Sequence, residues 1–379
     1  MRRLPNLRPW GSTMRIALVA AVNPQIPSAS GVQSYVSMLG TRLASMGQEV
    51  ELLGLGLKRS LVGGVEVVPI AREVRNAFEF VVALSRHLKR WGDSASIIHA
   101  QRPDDLIPFH LMKPATKKVI TLHGDHGIHV RSRRGRAQEA FYRVGERYSL
   151  MRTHSILCVS KSTKIGFGSR YPLLAAHLRV IPAGIDLDMF HPRDRGPARA
   201  ELGIPEGDKL VIYVGRFEPE KNPISIVEQF SGLRERHRDA RLLLIGDGQL
   251  SSDLRRRAGS SGGSIRVEGP VGQDRLAILM AASDLLVLAS KHEGLPTVAL
   301  EALATGIPVV GPGVGILPEV VIPGVNGFLA STSLDLESLM EKALYDSSWD
   351  PSTCRSSVRV HGWDKVAPAI LEVYRDIAS

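Results

Sequence analysis

Residues 291–311 read KHEGLPTVALEALATGIPVVG, and the fold follows from how that stretch is punctuated. Pro296 suits a first helical turn, Gly306 ends a helix and Pro308 opens the next element, so 296–305 is predicted to be a short helix entered through a tight Glu-Gly-Leu loop. The apolar run DLLVLAS (284–290) precedes it and PVVGPG (308–313) contains the run that follows. Neither run alternates apolar with polar residues, as expected of strands covered on both faces. Strand, helix and strand in that order make a crossover unit of a parallel sheet. The N-terminus of its helix should lie beyond the carboxyl edge of the sheet, where open α/β sheets bind their ligands.

The same grammar extends outward. LVIYVGR (210–216), RLLLIGDG (241–248), SIRVEGPV (264–271) and GFLAS (327–331) read as strands, with helix-period segments at 223–237 and 273–282. Toward the N-terminus, MRIALVAAV (14–22), EVELLGL (49–55), EVVPI (66–70), SIIHAQ (96–101), KKVITLHG (117–124), SILCVS (155–160) and RVIPAG (179–184) do likewise, with a helical segment at 32–46. The stretch FHPRDRGPARAELGIPEGDK (190–209) clusters Pro, Gly and charge and keeps no apolar period. The expectation is an α/β chain of two Rossmann-like parallel-sheet lobes, 14–190 and 191–362, facing each other across a cleft. The amphipathic segment 363–379 is expected to form a helix suited to pack back on the first lobe.

Composition agrees with two globular domains: 379 residues, 44% hydrophobic and 23% charged. Cys158 and Cys354 have no partner at ligand spacing, which excludes a disulfide framework or structural zinc site and points to a reducing, cytoplasmic compartment. No apolar run reaches the roughly 18 residues that cross a bilayer. Arg2, Arg3 and Arg8 ahead of IALVAAV imitate a secretory signal, but Asn23-Pro24 follows at once and strand-then-loop explains the run; Met14 is an alternative start. The formal net charge is +10, unevenly spread. Residues 1–180 carry 27 Lys and Arg against 11 Asp and Glu, whereas 181–379 carry 21 against 27. The first half therefore calls for an anionic partner: nucleic acid, an acidic substrate or an anionic membrane surface.

Three segments carry candidate chemistry. At the predicted helix 296–305, the amides of Leu295, Thr297 and Val298 and the helix dipole make an anion site suited to phosphate, with Pro296 setting the turn. Glu301 lies four residues after Thr297, on the same face one turn deeper, where a carboxylate can accept both hydroxyls of a ribose. Glu293 precedes the helix and should point at whatever the phosphate carries. In VGRFEPEKNP (214–223), directly after a strand, Arg216 and Lys221 supply a fork and a mobile ammonium for a diphosphate, in place of a metal. In SASGVQSYV (28–36), Gly31 permits close backbone approach at the entry to a helix. The plain alternative for each is a capped helix or a solvated loop.

Together these motifs resemble the retaining glycosyltransferases of family 4, the group 1 glycosyltransferases, which have the two-lobed GT-B fold. Glu293 and Glu301 reproduce the family's E-x7-E spacing, VGRFEPEKN its phosphate-binding Arg and Lys, and VEGPV its nucleotide-base loop around Val271. TLHGDHG stands where the family has its active-site histidine. The resemblance implies that Arg216 and Lys221 hold the diphosphate of a UDP- or GDP-linked sugar, with no separate cofactor. It implies that Glu301 holds the ribose, that Glu293 contacts the sugar and that His123 sits beside the anomeric carbon. The implied acceptor is a hydroxyl of a glycan, glycolipid or other anionic molecule. Ser30-Gly31 and IPAGID depart from the family's paired glycines and IPNGVD.

Other signals are set lower. Asp186-Leu187-Asp188 spells a manganese-type DxD and HGDHGIH (123–129) is rich in metal-ligand types, but with cations serving the diphosphate no metal is assigned. VRSRRGRAQEAFYRVGERYSLMR (130–152) carries seven arginines with aromatics interleaved. It reads either as a surface for the inner face of an anionic membrane or as a solvated helix packing its apolar side on the sheet. The competing readings are a nucleic-acid-binding protein, for which no helix-turn-helix, RRM or zinc module is present, and a sugar-nucleotide-binding or epimerase-like protein that transfers nothing.

Overall fold

A computed structural model describes residues 13–26, 31–92, 95–125, 127, 130, 135–291 and 296–379. The chain divides into two compact units. One comprises the residues up to Ile26, Val32–Gly184 and Trp363–Ser379; the other comprises Ile185–Gly362 and takes in Gly31.

The first unit is built on an eight-stranded sheet of β1 (Arg15–Val19), β2 (Glu49–Leu55), β3 (Ser60–Val62), β4 (Val65–Ala71), β5 (Ile97–Ala100), β6 (Lys117–Leu122), β7 (Ser155–Cys158) and β8 (Leu178–Val180). Their order is β3-β4-β2-β1-β5-β6-β7-β8, and only the β3–β4 pair is antiparallel. The second unit carries β9 (Lys209–Val214), β10 (Ala240–Ile245), β11 (Ile265–Glu268), β12 (Leu285–Val287), β13 (Val309–Pro312) and β14 (Gly327–Ala330). They are parallel throughout, in the order β11-β10-β9-β12-β13-β14. Each order reverses once, between β1 and β5 and between β9 and β12, which puts a topological switch point in each sheet.

The unbroken apolar runs become strands because helices cover both sheet faces: Val211, Ile212, Leu244, Leu285 and Leu286 are fully buried in one core, Ala17, Val19, Leu53 and Ile98 in the other. Several runs overshoot their strands at the carboxyl end. RLLLIGDG stops as strand at Ile245 and SIRVEGPV at Glu268. The surplus residues form the loops that leave the sheet at the carboxyl ends of its strands.

The helix Trp363–Ala378 belongs to the first unit and buries Trp363, Val366, Ala367, Ile370, Leu371, Val373 and Tyr374. The helix Arg136–Leu150 sends its last residue, Leu150, into the core of the first unit. It turns Tyr142, Arg143, Glu146 and Ser149 inward and leaves Phe141 83% and Val144 71% exposed. Arg143 on its inner face pairs with Asp125 at 2.7 Å and, within the helix, Glu146 at 3.0 Å. No helix among the described residues is long and apolar enough to cross a membrane.

Candidate functional site

In the second unit the switch point brings two of the candidate segments to the same edge. Arg216 and Lys221 follow β9, and the helix Thr297–Ala304 follows β12. The loop after β9 is laced to the loop after β10: the Gly215 amide donates to Ile245 O at 3.0 Å, Phe217 N to Asp247 O at 2.8 Å and Leu250 N to Phe217 O at 2.9 Å. Gly246 makes the lacing possible. A Cβ there would stand 1.9 Å from Gly215 O, and the residue holds φ +152°. The Tyr213 hydroxyl donates to Arg216 O at 3.0 Å, fixing the backbone under the guanidinium. Asn222, in the left-handed region at φ 53°, turns the chain into the helix Pro223–Arg236.

Arg216 Nη2 donates to Glu220 Oε1 at 2.6 Å, with the Arg216 side chain 45% exposed. A pair this exposed contributes well under about 1 kcal/mol, so an incoming phosphate can compete for the guanidinium at small cost. Glu220 also ties the two segments together, since its carbonyl accepts from Lys291 N at 3.0 Å. Lys221 N donates to Glu218 O at 2.9 Å, closing the turn that carries the ammonium.

The helix predicted at 296–305 runs from Thr297 to Ala304, with Pro296 as its N-cap rather than its first turn. No side chain caps it among the described residues, which leaves amides of Thr297 and Val298 for a ligand. Glu301, one turn further, is 6% exposed, and no hydrogen bond or ion pair from a described residue reaches its carboxylate. Burial pushes its pKa up to about 7. A buried, unpartnered carboxylate is costly to the fold and is what a hydroxyl-bearing ligand would satisfy. Val271, half-buried, follows β11 and packs on the core. Glu293 and Leu295 lie outside the described residues.

Gly31 opens the helix Gly31–Ser45, and in the first unit His123 follows β6 directly. His123 is 8% exposed; its Nε2 stands 2.8 Å from Gln101 Oε1, and the Tyr35 ring meets it edge-on with centroids 4.8 Å apart. Burial raises the pKa of Tyr35 to about 12, so its hydroxyl stays protonated. Of the metal-rich HGDHGIH segment, His126 and His129 lie outside the described residues. Asp125 is committed elsewhere: it pairs with Arg143 and Arg170 and accepts from Gly127 N at 2.9 Å. Burial pushes its pKa up, and the two arginines outweigh that and hold it below the ordinary value. Asp186 of the DxD spends Oδ1 on the amides of Asp188 and Met189, at 3.0 and 3.1 Å. Among the described residues no cluster of His, Cys, Asp and Glu is arranged to hold a metal ion.

Sequence reasoning missed Glu220, Gln101 and Gly246. Glu220 was visible four residues after Arg216, the spacing of a local ion pair. Gly246 was visible as a glycine at a strand end. Gln101 gave no signal, because only the pairing of β5 with β6 brings it to His123.

Two family models match the chain, Glycosyltransferase Family 4 over residues 29–189 and Glycosyl transferases group 1 over residues 194–347. The chain belongs to the group 1, family 4 glycosyltransferases. Among its curated relatives, a D-inositol 3-phosphate glycosyltransferase of a Nocardioides species is 32% identical over 53% of this chain and 48% of its own length. The corresponding protein of Mycobacterium bovis is 39% identical over 41% of this chain and 33% of its own. The matches thus span about half the length of these relatives, or less. Among solved structures, sucrose-phosphate synthase from Thermosynechococcus elongatus superposes with a TM-score of 0.81 at 20% identity, covering 96% of this chain and 99% of that one. HepE of Anabaena, solved in complex with UDP and glucose, gives 0.76 at 16% identity, over 96% and 99%. At these identities the likeness is one of fold, the two-sheet GT-B glycosyltransferase architecture.

Proposed function

We propose that this glycosyltransferase moves a hexosyl or N-acetylhexosaminyl group from a UDP- or GDP-linked donor to a hydroxyl of an anionic glycan or glycolipid acceptor, with retention at the anomeric carbon. The observation that carries the reading is Glu301: a buried carboxylate with no partner among the described residues, one turn inside a helix N-terminus that no described side chain caps, at the same switch point as Arg216 and Lys221. Ribose hydroxyls would donate to Glu301, and the helix amides, Arg216 and Lys221 would take the diphosphate charge. The HepE complexes with UDP and with UDP-glucose support a nucleotide-sugar donor.

In this mechanism the bond from the anomeric carbon to the phosphate oxygen breaks as the acceptor oxygen attacks the same face. The acceptor proton passes to the departing phosphate oxygen, whose charge the two cations and the helix amides stabilise. His123 would stand beside the reacting carbon and Glu293 beside the sugar hydroxyls. No step uses a metal. The cationic first half suits an anionic acceptor, and an inositol phosphate, in the name of the curated relatives, is one such molecule. The outward apolar residues Phe141 and Val144, beside Arg147 on the same helix, suit an anionic membrane at the cytoplasmic face and a role in cell-surface polysaccharide or glycolipid synthesis.

The test is transfer from an α-linked nucleotide sugar with the product anomer read by NMR, in the presence of a chelator. The expected product is α-linked, and His123→Ala and Lys221→Ala should each lower turnover by about 100-fold or more. An inverted product, turnover lost in chelator, or near-normal rates in both variants would overturn the assignment.

A further inference from the structure

We propose that Gln101 is a positioning residue that fixes the tautomer of His123 and so decides which nitrogen of the imidazole carries a lone pair. The proposal rests on the reading that His123 stands beside the anomeric carbon.

Gln101 and His123 leave adjacent parallel strands at the same edge, one residue after β5 and one after β6. The backbone of Gln101 is anchored by donation from its amide to Val19 O at the end of β1. Its side chain is 1% exposed, and its amide oxygen lies 2.8 Å from His123 Nε2. A carbonyl oxygen only accepts, so Nε2 carries the proton and the lone pair belongs to Nδ1. Among the described residues the buried amide nitrogen of Gln101 has no partner, and the contact with His123 is the hydrogen bond that holds this side chain. A residue kept for packing alone would be apolar at this position. The edge-on ring of Tyr35, itself bonded to Thr121 and packed against Trp363 with centroids 5.2 Å apart, opposes rotation of the imidazole out of that register.

The chemical consequence follows from the charge that builds up during transfer. As the glycosidic bond breaks, the anomeric carbon becomes positive. A neutral imidazole with its lone pair on Nδ1 can accept from a sugar hydroxyl and tolerates that positive charge, whereas an N–H or an imidazolium there would oppose it.

The direct readout is the two-bond proton–nitrogen spectrum of imidazole-labelled full-length protein without substrate, with the His123 signals assigned by their loss in His123→Gln. The wild-type protein should show the Nε2–H pattern, and Gln101→Leu should show a mixture in which the Nδ1–H form appears. In kinetics, Gln101→Leu should lower kcat by about tenfold or more with the donor KM within about threefold. Gln101→Glu, which sets a carboxylate against Nε2–H and favours the imidazolium, should move the acidic limb of the pH–rate profile up by about one unit or more. A side chain that merely filled space would move neither the tautomer nor the profile.

An Nδ1–H pattern in the wild type overturns the proposal, as does a Gln101→Leu protein that keeps pure Nε2–H and a kcat within about twofold of normal. If Gln101→Leu fails to fold, the wild-type spectrum and the Gln101→Glu profile decide. Because the spectrum is read without sugar transfer, a correct tautomer in a protein that transfers no sugar would count against the functional reading and not against the role of Gln101.

Discussion

Glu301 costs the free protein stability that a ligand would return. Its ordinary pKa of 4.5 rises to about 7 in the fold because ionisation is penalised by burial. Between those values the folded state holds a proton that the unfolded state has lost, so stability falls as pH rises through that window and the full penalty applies above it. The gap corresponds to about 3 kcal/mol. Glu301→Gln, neutral at every pH, should therefore be more stable than the parent at pH 8, with the advantage gone below pH 4.5. The same variant should lose donor affinity, and the parent should lose it progressively below pH 7 as the carboxylate becomes protonated. Thermal midpoints and donor titrations across pH check both, and a variant no more stable at pH 8 would show that the site is wetter than its burial indicates. That a carboxylate lay one turn from the helix start was legible in the spacing of Thr297 and Glu301. That no described residue pairs with it was not, because absence of a contact is a property of every residue around it.

The elements were the most legible part of the chain, for a physical reason. A strand covered on both faces must be apolar throughout, and each run read as a strand, from MRIALVAAV to GFLAS, became one. The three-residue strand β3 escaped, because SLV at a sheet edge needs no apolar continuity; the Gly63-Gly64 turn that pairs it with β4 was its signal. The helix Trp363–Ala378 announced its apolar face but not its polar anchor. Tyr374 hydrogen-bonds His99 Nδ1, and His99 Nε2 stands 2.7 Å from the Thr121 hydroxyl, all of them buried. Burial drives the His99 pKa down to about 3, so this chain of bonds stays uncharged at any ordinary pH. Tyr374→Phe keeps the packing and strands the His99 nitrogen, which should cost about 1–3 kcal/mol in chemical denaturation. A cost near zero would mean that the aromatic ring alone holds the helix.

At the scale of the molecule, charge and surface act together. The cationic excess lies in residues 1–180, and the same half presents Phe141 and Val144 outward from a helix whose inner face is ionic. Each cation near an anionic bilayer contributes about 1 kcal/mol, and salt screens it over a Debye length of about 10 Å at 0.1 M. Co-sedimentation should therefore be seen with vesicles containing phosphatidylglycerol, weaken with added salt and fall in the double variant Phe141→Ser, Val144→Ser. Equal binding to neutral vesicles, or none to either, would remove the membrane from the account.

The interleaving of the two units also sets an order of events during synthesis. Residues 185–362 form a continuous stretch and can condense as they clear the ribosome, but the first unit lacks Trp363–Ser379 until those codons have been read. Until then the Tyr35 ring and the His99 imidazole lack the cover that Trp363 and Tyr374 will bring.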